Sequence, residues 1–179
     1  TFHNLTITST LTGHSTALNV TGNMINNGIY NSNGGLITFN GSSAQTLSGS
    51  GTSNFENLTL NNSNGLTASS GTYNLAGVLA ITAGTLTNSA SFSLIADATK
   101  YARIDEISAF CGTCGFSGNF DVQRYLPSRS SGAAWADLTS PVSNATMADW
   151  DANLYLVYPF VGFDEITNRP TGTNVMAYD

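Results

Sequence analysis

Along the first hundred residues, apolar side chains recur at every second position with small polar residues between them. Leu5-Thr-Ile7, Leu18-Asn-Val20, Leu36-Ile-Thr-Phe39 and Leu58-Thr-Leu60 are the clearest runs. Alternation of this kind predicts short strands that bury one face, and the Gly, Asn and Ser clusters between the runs predict turns. The pattern also returns. Phe2-His-Asn-Leu-Thr-Ile7 reappears as Phe55-Glu-Asn-Leu-Thr-Leu60 at an offset of 53, and Asn19-Val-Thr-Gly22 as Asn74-Leu-Ala-Gly77 at an offset of 55. Gly28-Ile-Tyr-Asn-Ser32 is answered by Thr85-Leu-Thr-Asn-Ser89. Such self-similarity predicts stacked repeats. A parallel β-helix fits best, because its coils stack at the spacing of neighbouring strands and like residues form ladders, for which Asn suits an internal hydrogen-bonded position. An antiparallel sandwich of short strands is the competing architecture, since it shows the same alternation.

Beyond residue 100 the texture changes. Phe120-Asp-Val-Gln-Arg-Tyr-Leu126 alternates and stops at Pro127, which predicts a strand. Leu154-Tyr-Leu-Val-Tyr158 before Pro159 and Val175-Met-Ala-Tyr178 are further strand candidates, and Met147-Ala-Asp-Trp150 suits a single helical turn. Trp135 and Trp150 would supply the core of a compact β-sandwich.

Composition sharpens this division. Only 9% of the 179 residues are charged, against roughly 25% in an average soluble domain. Their place is taken by 23 Thr, 21 Ser and 20 Asn, residues that disfavour helices. Residues 1–99 hold no Lys or Arg and two acids, Glu56 and Asp97, whereas Lys100, Arg103, Arg124, Arg129 and Arg169 all follow, as do both Cys and both Trp. The expected organisation is therefore all-β: a parallel β-helix (solenoid) over 1–99, then a β-sandwich-like module over 100–179 that is incomplete at its C-terminal end. Parallel stacking sets like charge above like charge, which accounts for a repeat half so poor in ions. A net charge of −6 leaves nothing to neutralise phosphates, so nucleic acid is not an expected partner. No apolar run reaches the roughly 20 residues of a membrane helix.

The run Phe39-Asn-Gly-Ser-Ser-Ala-Gln-Thr-Leu-Ser-Gly-Ser-Gly-Thr-Ser-Asn-Phe-Glu-Asn-Leu-Thr-Leu-Asn-Asn-Ser-Asn-Gly-Leu66 resembles a repeat of large secreted cell-surface proteins of Bacteroidota. Gly118-Asn-Phe-Asp-Val-Gln-Arg-Tyr-Leu-Pro127 and Trp135-Ala-Asp-Leu-Thr-Ser-Pro-Val142 resemble the module that follows such repeats. The resemblance covers most of the chain. It implies export by type IX secretion and an adhesin-like role at the bacterial cell surface. The sorting domain that ends such proteins has no counterpart in these residues, so the export route rests on the resemblance alone.

The candidate chemistry is sparse. Cys111-Gly-Thr-Cys114 can close a disulfide, act as a redox pair or supply half of a zinc site. Zinc needs four ligands and only His3 and His14 remain, both in the other half; a redox pair normally opens a helix in an α/β fold. In an exported protein a short disulfide loop is expected, with two reduced thiols as the competitor. Asp149, Asp151 and Asn153 sit at alternate positions like the opening of a calcium loop. Leu154 stands where such a loop needs Gly and its distal Glu is missing, so a turn capped by Asp149 is the simpler reading and no metal is expected. The adjacent acids Asp105-Glu106 and Asp164-Glu165 would point to opposite faces of a strand and read as solvated turn charges. There is no Gly-x-Ser-x-Gly elbow and no phosphate-binding glycine loop.

These observations lead to the expectation of a non-enzymatic extracellular structural or adhesive protein, a segment of a surface adhesin or self-assembling fibre without cofactors. Its expected partners are neighbouring copies of itself or the remainder of a longer chain, and surface glycans, without membrane insertion. The alternative is a carbohydrate-binding module or polysaccharide-acting enzyme on a β-helix scaffold. That reading needs clustered acids or aromatics presented in a row, for which Tyr30 and Tyr73 are the candidates within the repeats.

Overall fold

The computed structural model describes residues 1–125 and two short strands further on, Phe163–Asp164 and Arg169–Pro170. The chain divides into two units, Thr1–Tyr125 and Leu126–Asp179. The first is an all-β parallel solenoid of about five turns.

Each turn runs through three short strands, one in each of three parallel sheets. The first sheet stacks β1 (Leu5–Ile7), β4 (Met24–Asn26), β7 (Gln45–Ser48), β10 (Leu66–Ala68), β13 (Thr85–Asn88) and β16 (Gly115–Gly118). The second stacks β2 (Thr10–Thr12), β5 (Ile29–Asn31), β8 (Thr52–Phe55), β11 (Thr72–Leu75), β14 (Ser91–Leu94) and β17 (Asp121–Val122). The third stacks β3 (Leu18–Val20), β6 (Leu36–Phe39), β9 (Asn57–Asn61), β12 (Val78–Ala83) and β15 (Arg103–Ile104). Each of the four alternating runs of the sequence is a strand or lies within one.

The register gives the repeat length. In the first sheet Leu5 pairs with Met24, Met24 with Leu47, Leu47 with Ala68, and Leu66 with Leu86, so a coil takes 19 to 23 residues. The repeat at 53 to 55 residues is therefore not one coil. Leu5 and Ile7 lie in the first sheet, whereas Leu58 and Leu60 lie in the third. What recurs is a corner. Asn4 Oδ1 accepts the backbone N–H of Asn23 at 2.8 Å, and Asn57 Oδ1 accepts that of Val78 at 2.9 Å. The glycine before each donor, Gly22 or Gly77, passes directly over the Asn, and a Cβ there would collide with Asn4 or Asn57 Oδ1 and with the carbonyl before it. A short turn with an Asn below and a Gly above thus serves at two different corners, before the first sheet and before the third.

The composition boundary at residues 98–104 does not coincide with a structural one. Strands β15, β16 and β17 continue the three sheets in parallel register on β12, β13 and β14. The Phe120–Leu126 run thus contributes a solenoid strand, Asp121–Val122, and not the first strand of a sandwich. Among the described residues the change in charge accompanies a looser fifth turn: 95–102, between β14 and β15, and 105–114, between β15 and β16, are loops, and ionic residues cluster in and around them. Beyond residue 125 the described residues form one antiparallel pair, β18 (Phe163–Asp164) with β19 (Arg169–Pro170), and the rest of the region expected to form a sandwich lies outside them. Trp135, Trp150, Met147 and the runs 154–158 and 175–178 lie outside the described residues.

Inward side chains form one continuous core. Leu5, Ile7, Leu58 and Leu60 all belong to it, with Leu79, Ile81, Leu86 and Leu94 from later turns. One wall is aromatic: Tyr30, Phe55, Tyr73, Phe92 and Phe120 follow one another along the axis with ring centroids 5.4 to 6.3 Å apart. Such pairs each add about 0.5–1.5 kcal/mol beyond their burial. Ser53 lies opposite both Tyr30 and Tyr73 in the register, and its hydroxyl accepts from the buried Asn26 Nδ2 at 2.9 Å. Gln45, Asn62 and Asn88 are the other buried amides. Gln45 Oε1 accepts from Asn62 Nδ2 at 3.0 Å and from Gly41 N–H at 2.8 Å, while Gln45 Nε2 donates to Val20 O at 2.9 Å. Among the described residues no buried side-chain polar atom lacks a partner. The Asn ladder expected inside is elsewhere: Asn54 donates to Asn31 at 2.8 Å and Asn74 to Asn54 at 2.9 Å, but all three point outward from the second sheet.

Two outcomes follow. Leu58→Asp puts an unpaired carboxylate at a fully buried position and should destabilise the solenoid by at least about 3 kcal/mol in a denaturant titration; wild-type stability would remove Leu58 from the core. Burial raises both the Tyr30 and Tyr73 phenols above 10.0, Tyr73 to about 12. Because the folded value lies above the unfolded one, their stabilising contribution is complete below pH 10 and is lost as pH rises toward 12. Tyrosinate absorbance should show a late step that coincides with loss of structure and shrinks in Tyr73→Phe.

Candidate functional site

The outer surface of the solenoid is built by the same stacking as its core. On the first sheet Thr46, Thr67, Thr87 and Ser117 are in register on successive turns. Three of these are followed two residues later by a second hydroxyl, Ser48, Ser69 or Ser89. Strands lie about 4.8 Å apart and alternate residues about 6.7 Å apart, so this face is a two-column grid of hydroxyls. On the second sheet one outward column runs Thr10, Ile29, Thr52, Thr72 and Ser91, and the other carries the amides of Asn31, Asn54 and Asn74. The third sheet shows Asn19, Thr38, Thr59 and Ala80. From β1 to β14 no outward strand position carries a charge.

Within the described solenoid, ions occur at one corner (Glu56) and in the last turns, in loops and on the exposed strand positions Arg103 and Asp121. Lys100 Nζ and Glu56 Oε2 are 2.8 Å apart, the one salt bridge among the described residues, and it ties the loop before β15 to the corner before β9. Both side chains are partly exposed, so the pair contributes little to stability. Asp97 organises that loop: its Oδ1 accepts from Thr99 Oγ1 at 2.6 Å, Thr99 N–H at 2.7 Å and Lys100 N–H at 3.0 Å. The Thr99 hydroxyl, followed by the two backbone donors, holds the Asp97 carboxyl below its ordinary 3.8. Asp105 and Glu106 are exposed in the next loop.

Cys111 and Cys114 are joined in a disulfide within that loop, with Cα atoms 5.4 Å apart. Backbone bonds from Cys111 N–H to Ser108 O and from Cys114 N–H to Cys111 O wind the segment into consecutive turns. The loop is anchored beneath by Thr85 Oγ1, which donates to Thr113 O at 2.9 Å. Phe110, beside the bridge, is 100% exposed.

The remaining candidates separate. Asp149, Asp151 and Asn153 lie outside the described residues, and among the described ones no three His, Cys, Asp or Glu side chains converge as metal ligands. Tyr30 and Tyr73 are each 2% exposed, so neither ring is presented to a sugar. Sequence reasoning missed the outward hydroxyl grid. Its signal was present in Thr46-Leu-Ser48, Thr67-Ala-Ser69 and Thr87-Asn-Ser89, spaced by about one coil, but it is invisible until the coil length is known. No helix among the described residues is long and apolar enough to cross a membrane. Comparison with family models, with curated proteins and with solved structures found no match to this chain.

Intact-mass measurement after alkylation should show no label without reductant and two with it. Cys111→Ser should leave the cooperative melting of the solenoid within a few degrees of wild type, because the bridge closes a very short loop and stiffens it locally. Two labels under native oxidising conditions would rule the bond out.

Proposed function

We propose that this chain is a segment of a non-enzymatic extracellular structural or adhesive protein, of the kind its resemblance to secreted Bacteroidota surface proteins suggests, with type IX export and a place at the cell surface. The observation that carries the reading is the outer surface: neutral hydroxyls and amides repeated in register on all three sheets, with ions confined to corners and the last turns. A solenoid is a spacer whose length grows by adding coils. Its faces offer many weak, equivalent contacts and, among the described residues, no converging acid, base or nucleophile, which supports adhesion to surface glycans over turnover of them.

Assembly would use the ladder that builds the fold. Strands β1, β2 and β3 stand at one end of their sheets. Leu5 N–H bonds toward the second turn through Asn23 O, and Ile7 O receives Asn27 N–H, so the peptide groups of Thr6, which alternate with these, face away along the axis. Phe2 covers β3 in part by pairing with Val20. Stacking another coil there, from a longer chain or a neighbouring copy, satisfies those groups and extends the fibre.

Light scattering and electron microscopy on the 179-residue chain test this. The expected result is concentration-dependent growth into linear assemblies that Thr6→Pro abolishes, since proline removes the outward donor, together with retention on immobilised polysaccharide. A monodisperse chain that also ignores polysaccharide would overturn the reading. Release of sugar products would replace it with an enzyme.

A further inference from the structure

The sequence contains four Asn-Gly dipeptides, Asn27-Gly28, Asn33-Gly34, Asn40-Gly41 and Asn64-Gly65. Asparagine before glycine is the arrangement most open to attack by the next backbone nitrogen, because glycine offers no side chain to block the approach. For that attack the glycine N–H must be free, since a nitrogen whose proton is held by an acceptor cannot turn toward the side chain. Three of the four are held. Gly28 N–H donates to Asn26 Oδ1 at 3.0 Å, Gly41 N–H to Gln45 Oε1 at 2.8 Å, and Gly65 N–H to Asn62 O at 2.8 Å. Two of these sites are restrained at the asparagine as well: Asn27 Oδ1 accepts Ser50 N–H at 3.1 Å, and Asn64 Nδ2 donates to Ser42 O at 3.0 Å.

Asn33-Gly34 differs at every point. It caps the corner between β5 and β6, both residues are exposed, and a Cβ built on Gly34 would meet nothing within 4 Å. Among the described residues neither the Asn33 side chain nor Gly34 N–H has a hydrogen-bond partner; the nearest bond runs past them, from Gly35 N–H to Ser32 O at 3.0 Å. Asn33 is also the one described non-glycine residue with positive φ, at 52°. The flanking turn is therefore pinned while the reactive pair is free.

We infer that Asn33 is a site of spontaneous covalent modification, converting through a cyclic imide to aspartate and isoaspartate while the other three Asn-Gly pairs of the folded solenoid do not react. Gly34 N attacks Asn33 Cγ and forms the new C–N bond. The Cγ–Nδ2 bond breaks, and the amide leaves as ammonia carrying the proton lost from Gly34. Water then adds to one of the two imide carbonyls and opens the ring, leaving a carboxylate and releasing a proton. No oxidant, metal or enzyme is required. The product places a fixed negative charge in a region with no Lys or Arg before residue 100, one residue from Ser32, whose hydroxyl accepts the Glu56 N–H at 2.7 Å. The change thus introduces charge into a corner of the neutral stack.

Peptide mapping by mass spectrometry after incubation at mildly alkaline pH tests the assignment, each conversion adding about one dalton. In the folded chain, Asn33 should convert at least about tenfold faster than Asn27, Asn40 and Asn64, and in concentrated urea the four rates should draw together as the held N–H groups are released. Asn33→Gln should remove the fast conversion and leave the rest unchanged. Equal rates in the folded chain, or another asparagine leading, would overturn the proposal. So would a tenfold preference for Asn33 that survives in urea, since local sequence and not the fold would then be its cause.

Discussion

Every feature of the solenoid depends on one constraint: each coil lies on the next in parallel register, about 4.8 Å away, so each side chain sits on its own counterpart. A position is therefore filled by what tolerates a copy of itself above and below. Apolar side chains do so by packing, aromatic rings by stacking or tilting against one another, and hydroxyls and amides by exchanging hydrogen bonds. Carboxylates and ammonium groups do not, because stacked like charges repel. The neutral exterior and the aromatic wall of the core are consequences of the same geometry on opposite faces of the sheets.

The corners bear the cost of that regularity. A coil of about twenty residues must turn three times, and at each turn peptide groups leave the sheet ladder and need other partners. Side chains supply them. Asn4, Asn23, Asn27 and Asn57 each accept a backbone N–H of the next turn, while Gln45 and Asn62 serve from the inside. The abundance of asparagine is therefore architectural. It also has a chemical consequence, because an asparagine that serves a corner is protected by doing so, and one that does not is open to the water and nitrogen around it.

Loosening begins where the register lengthens. Leu86 pairs with Phe116, thirty residues on, against about twenty in earlier turns, and the extra length is shared between the segment 95–102 before β15 and the disulfide loop after it. Glu56 and Lys100 pair across this region, and Asp97 folds the segment between. Ions are tolerated here because a loop that occurs once has no copy stacked upon it.

The sequence by itself determined the class of fold. Alternation in Leu5-Thr-Ile7 or Leu58-Thr-Leu60 dictates strands with one buried face, because it depends on local pattern, and recurrence favours stacked coils over a sandwich without fixing them. It also foretold the Cys111–Cys114 bridge, whose partners are three residues apart. The coil length was not legible: the strongest internal match, at 53 residues, joins two corners in different sheets that share only an Asn and an overlying Gly. Nor was the end of the solenoid, since the charge boundary near residue 100 marks a change in loops and not in sheets. Which Asn faces inward, which tyrosines are buried, and which hydroxyls align into a surface grid were decided by register. Register is a relation between residues about twenty apart, and only the folded stack fixes it.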